Sequence, residues 1–153
     1  MDLILWRHAE AAAPQAGGDD RARALTPKGL RQAERMAAWL GPRLPASTRV
    51  LASPARRAQQ TAAALGRRFV TVEALAPDGS VDALLAAARW PEALHAVLVV
   101  GHQPTLGQAL ARLLSQQAQP WALRKAALCW LQGRTRAGAQ ETVLRALIGP
   151  DLL

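Results

Sequence analysis

The chain has 153 residues, half of them apolar and a fifth charged, and its 19 Lys and Arg against 11 Asp and Glu give a formal charge of +8. No segment reaches the roughly 18 consecutive apolar residues that a membrane span needs, while a chain of this length buries about two thirds of its unfolded surface around one core. The 17 Arg and 2 Lys are scattered, and with no Tyr and one Phe a base-stacking platform would have to come from five dispersed Trp, which argues against nucleic acid as a partner. A single domain over residues 1–153 is therefore expected. Asp2 stands where a signal peptide carries its basic flank, and no small-residue cleavage site follows. The lone Cys129, inside the apolar run "AALCWLQ", cannot form an internal disulfide and reads as a buried, inert thiol. Both features point to a cytoplasmic address.

In chain order, "LILW" (3–6) is apolar throughout and predicts a strand buried on both faces. After a loop rich in Gly, Ala and Asp, Thr26-Pro27 supplies an N-cap and a first-turn proline. Leu30, Ala33, Ala37 and Leu40 then continue at helical spacing until Gly41-Pro42. "RVLAS" (49–53) predicts a second strand, and Ser53-Pro54 opens a helix through "RRAQQTAAALGRRF". A third strand is expected at "VTVEAL" (70–75), a short helix near "VDALLAAARW", and the strongest strand at "AVLVVG" (96–101). Pro104-Thr105 begins the helix "TLGQALARLL", and two weaker strands, "AALCWLQ" and "ETVLRALI", flank the turn-like "GRTRAGAQ". This alternation predicts an α/β fold: a three-layer α/β/α sandwich with a mostly parallel central sheet, its last strand or two free to run antiparallel at an edge.

In such sheets ligands bind outside the carboxyl ends of the strands. The first strand ends in Arg7-His8, the second in "SPARRA", and the strong apolar strand in Gly101-His102. Two histidines and at least one arginine, far apart in sequence, are thus expected on one rim. His95 precedes the same strand as His102 and belongs at the opposite rim in a structural role.

This ordered set resembles the histidine phosphatase, or phosphoglycerate-mutase-like, superfamily. "RHAE" matches its Arg-His-Gly motif with Ala9 where glycine is usual, "SPARRAQQT" matches Ser-Pro-x-x-Arg-Ala-x-x-Thr, and "VVGHQP" supplies the later Gly-His. "LTPKG", the short length and "DRARALT" are similar to the SixA-type phosphohistidine phosphatases, which lack the helical insertions of the mutases. The resemblance implies His8 as nucleophile, with Arg7, Arg57 and His102 as catalytic and phosphate-binding partners. It places the family arginine at Arg57, with Arg56 the alternative if the turn register differs. It also aligns Arg23 with a phosphate-contacting arginine, for which an exposed loop charge is an equal reading.

The residue types suit that chemistry. A neutral imidazole is a good nucleophile toward phosphorus. The charge of a phosphoryl group in flight sits on oxygens that guanidinium forks bind bidentately. His102, protonated or as an N–H donor, would add a contact, and helix N-termini after Ser53 and Gly101 would add backbone N–H groups. No cofactor is required, and the two histidines have no third ligand at a spacing that suits zinc. Larger family members protonate the leaving oxygen with a glutamate on an insertion for which this chain has no room. Asp78, Glu10 or no residue at all is left as the acid, with Asp20 a weaker site candidate. A phosphorylated imidazole leaves neutral without such an acid, so the expected substrate is phosphohistidine on a protein, such as a histidine phosphotransfer domain. The alternatives are a small phosphate ester or, further off, a non-catalytic phosphate-binding module.

Overall fold

The computed structural model describes residues 1–153. Strand β1 (Asp2–Arg7) sends Leu3 and Leu5 into one apolar cluster and Ile4 and Trp6 into another, so the strand is covered on both faces. It lies at the heart of a six-stranded sheet with β2 (Arg49–Ala52), β3 (Val70–Thr71), β4 (Val97–Gly101), β5 (Leu128–Arg136) and β6 (Ala139–Ile148), in the order β3-β2-β4-β1-β5-β6. The first four strands pair in parallel, whereas β5 runs antiparallel to β1 and β6 antiparallel to β5. Helices α1 (Pro27–Leu40) and α2 (Arg56–Ala63) pack on one face, and α3 (Val81–Ala88) and α4 (Thr105–Ser115) on the other, completing the three-layer α/β/α sandwich. No helix is long and apolar enough to cross a membrane.

Helix α1 begins as its sequence predicts, with Thr26 Oγ1 accepting from the Gly29 N–H at 3.0 Å. Its buried stripe runs through Gly29, Ala33, Met36, Ala37 and Leu40, and this phase leaves Leu30 outside it, 42% exposed. Gly29 lies so close to the loop after β1 that a Cβ there would collide with the Glu10 carbonyl, which is the physical demand behind the glycine of "LTPKG".

Three boundaries differ from expectation. Helix α2 starts at Arg56 and stops at Ala63, before Gly66 turns the chain at φ +63°. The third strand keeps only Val70–Thr71, an exposed edge pair, and Glu73–Leu75 coil into a 3-10 turn. Most of "GRTRAGAQ" is strand: Ala137 and Gly138 alone make the turn, both at positive φ, and the ribbon is exposed on both faces with Arg134 and Glu141 paired at 2.7 Å. Polarity there marks a solvated hairpin. Cys129 is buried in the cluster under α3 and α4, and burial pushes its thiol up to about 12.

Candidate active site

Because β1, β2 and β4 are parallel, their C-terminal ends share one rim, and the register sets Arg7 beside Gly101. Just beyond the strands the pairing continues through main-chain bonds. His8 N–H donates to Gly101 O at 3.1 Å, Ala126 N–H donates to His8 O at 3.1 Å, and Ser53 N–H donates to Val100 O at 3.0 Å. His8 is thereby fixed from both sides by backbone, 5.1 Å from the His102 ring centre to centre. The two imidazoles, Arg7, Arg23 and Arg57 line one cleft of about 290 Å³.

The polar positions Ser53, Arg57 and Thr61 of the second motif each have a visible task. Ser53 Oγ accepts from the Ala55 N–H and meets His102 Nε2 at 2.7 Å, which holds the second ring in place. Arg57 is buried and lines the cleft, whereas Arg56 is exposed. Thr61 Oγ1 donates to Arg57 O at 2.7 Å and accepts from the Ala9 N–H at 3.0 Å, so the "RHAE" turn and the start of α2 are tied together. Ala9 is fully buried and is not among the residues at positive φ, so the backbone at this position does not demand glycine.

The electrostatics are one-sided. Arg7 Nη1 donates to Leu123 O at 2.6 Å, and no carboxylate pairs with it. Arg57 donates through Nη1 to Asp20 O at 2.7 Å and through Nη2 to Asp20 Oδ2 at 3.1 Å, and Arg23 Nε reaches Oδ1 of the same residue at 2.9 Å. Despite partial burial, the two arginines hold the Asp20 carboxyl below its usual range, so it serves as an anchor for guanidiniums and is ionised at neutral pH. The Nε atoms of Arg7 and Arg57 and Nδ1 of His102 are buried with no protein partner. Burial, reinforced by Arg57 and Arg7 against an opposing bond to Ala9, lowers His8 to about 4. Burial, followed by the neighbouring His8 and Arg57, lowers His102 to about 3. Both rings are neutral at neutral pH. His8 Nδ1 lies 2.7 Å from Ala9 O, and since a carbonyl only accepts, Nδ1 carries the proton and Nε2 the lone pair.

The acid candidates lie elsewhere. Glu10 bonds the Thr26 hydroxyl at 2.9 Å, which with Lys28 keeps its carboxyl low, and it faces a neighbouring groove. Asp78 is exposed beside Pro77, which does border the cleft. His95 is exposed before β4, at the far end from His102. Sequence reasoning missed Lys125 and Gln103, both at the cleft. An antiparallel β5 begins at the rim where the parallel strands end, so the residue three before Leu128 was there to be found.

Residues 3–76 match the family model described as histidine phosphatase superfamily (branch 1). A protein of Picosynechococcus with no assigned function is 38% identical over 140 residues, 86% of this chain and 85% of its own. Phosphohistidine phosphatase SixA of Escherichia coli is 32% identical over 128 residues, 78% of each chain. The chain belongs to the histidine phosphatase superfamily. Within it the likeness is to the SixA type: the solved structure of the protein histidine phosphatase SixA complexed with tungstate superposes at a TM-score of 0.81, covering 99% of both chains at 28% identity. A phosphoserine phosphatase of Entamoeba histolytica shares the histidine phosphatase fold at a TM-score of 0.72 and 17% identity.

Proposed function

We propose that this histidine phosphatase removes phosphate from phosphohistidine on a protein, through a phosphoryl group carried on His8, with residues 1–153 acting as one catalytic domain. The observation that carries the reading is the lining of the cleft: two neutral imidazoles, three arginines and a lysine, with no carboxylate. In the first step His8 Nε2 attacks phosphorus and the bond to the substrate nitrogen breaks. That nitrogen keeps the electron pair, and once the other ring nitrogen has taken a proton from solvent, near its ordinary pKa of about 6.5, the imidazole departs neutral without an acid from the enzyme. An alkoxide has no such route here. In the second step water attacks phosphorus, the His8 N–P bond breaks with its electrons returning to Nε2, and the water proton leaves with inorganic phosphate.

Arg7, Arg57 and Arg23 supply the charge that stabilises the phosphoryl oxygens, and His102 contributes an imidazole N–H. In this reading the guanidiniums supply the positive charge that the transferring phosphoryl group needs. The test is kcat/KM for a phosphohistidine-bearing phosphotransfer domain against phosphoglycerate and sugar phosphates at matched pH and salt. The protein substrate is expected to win, by a margin that shrinks with ionic strength. A small ester turned over more efficiently than every phosphohistidine protein replaces this reading with a general phosphomonoesterase.

A further inference from the structure

Beside the catalytic cleft lies a larger groove of about 550 Å³, and Lys125 lines both. Its walls carry five cations, Lys28, Arg31 and Arg35 from α1 and Arg124 and Lys125 from the segment before β5, and no hydrophobic side chain. The two carboxylates present are committed locally: Glu10 approaches Lys28 at 3.5 Å and Asp151 pairs with Arg124 at 2.8 Å. Arg35 Nη1 donates to the carbonyls of Pro150 and Leu153 at 3.2 and 3.3 Å. Arg31 and Lys125 make no ion pair and no side-chain hydrogen bond, and both are exposed.

We propose that this groove is the docking site for the acidic surface that surrounds the phosphohistidine of the protein substrate. The inference rests on the phosphohistidine reading above and adds where and how the partner is held. Three observations select an acidic protein face. Positions 28, 31 and 35 fall on one side of α1 and extend a row of charge over about 10 Å, longer than one phosphate spans. No aromatic side chain lines the groove, so it has no platform for nucleic-acid bases. The groove also joins the cleft at Lys125, so a partner whose phosphorylated side chain enters the cleft lays its neighbouring residues across α1. Unpaired cations at the rim of such a contact act chiefly on encounter and orientation.

The test uses the full chain and Arg31→Glu, a solvent-exposed change outside the catalytic cleft, with a circular dichroism spectrum to confirm folding. Two substrates are compared: a phosphohistidine-bearing phosphotransfer domain with acidic residues around its histidine, and phosphoimidazole, which has the same N–P bond and no surface. Arg31→Glu is expected to lower kcat/KM for the phosphoprotein at least tenfold at low salt, to flatten its salt dependence, and to leave phosphoimidazole within twofold. Polyglutamate is expected to inhibit turnover of the phosphoprotein by wild type and not by the variant. Equal turnover of the phosphoprotein by wild type and variant, or equal losses on both substrates, overturns the docking site while leaving the phosphohistidine reading intact. A wild-type chain that turns over neither N–P substrate overturns both. Tighter competition by a single-stranded oligonucleotide than by polyglutamate would assign the groove to nucleic acid and overturn the proposal.

Discussion

Replacing Arg57 by lysine keeps the net charge and removes the fork, which makes it a sharp probe of how the cleft handles phosphate. Arg57 is only 3% exposed, holds Asp20 through two nitrogens, and keeps a third, Nε, buried without a partner. A lysine offers one nitrogen in place of three, so at least one charged hydrogen bond to Asp20 or to a phosphoryl oxygen is lost. A hydrogen bond to a charged group contributes about 1.5–3 kcal/mol. Losing one worth about 2 kcal/mol in the transition state lowers kcat/KM roughly 30-fold, at about 1.36 kcal/mol per factor of ten. Arg56→Lys, on an exposed neighbour, stays within about 0.5 kcal/mol, or roughly twofold. The assay is steady-state hydrolysis of a phosphohistidine protein by both variants, with thermal melts to show that each is folded. Equal effects, or a larger loss at Arg56, would refute the assignment of Arg57 as the phosphate-binding guanidinium.

Stability should fall with acid through the two histidines. Burial holds His8 at about 4 and His102 at about 3 in the folded chain against 6.5 when free, so below pH 6.5 the unfolded chain binds protons that the folded one refuses. Their contribution is complete above pH 6.5 and is lost as the pH falls from 6.5 toward about 4 for His8 and about 3 for His102. Urea denaturation at pH 7, 6 and 5 should show a clearly shallower slope in His102→Asn, and an unchanged slope would contradict the burial account. Treatment with EDTA should leave phosphohistidine hydrolysis unchanged, since guanidiniums carry the charge; loss of activity with recovery on adding zinc would contradict that.

Much of the fold was legible because its strongest elements are driven by local pattern. The short all-apolar runs at β1 and β4 have the pattern of strands buried on both faces, and Thr26 caps α1 by the hydrogen bond that its side-chain type predicts. The choice of Arg57 over Arg56 came from the motif alignment, and the structure sets Arg57 at the cleft and leaves Arg56 exposed. Features that depend on elements meeting across the fold were hidden. The Asp20 carboxylate reaches Arg57, 37 positions further along the chain, and Lys125 reaches the cleft only because β5 reverses beside β1. The charged ribbon of β5 and β6 misled because its stability comes from cross-strand pairing in solvent, where no apolar period is required.

The central claim is that phosphate passes through His8. Turnover of a phosphohistidine protein, stopped within milliseconds in alkali where N–P bonds persist, followed by peptide mass analysis, tests it most directly. The account predicts one added phosphoryl group on the peptide that contains His8, appearing and decaying with turnover, and neither adduct nor activity in a folded His8→Ala variant. A phosphoryl group on any other residue, or full activity in His8→Ala, would contradict it.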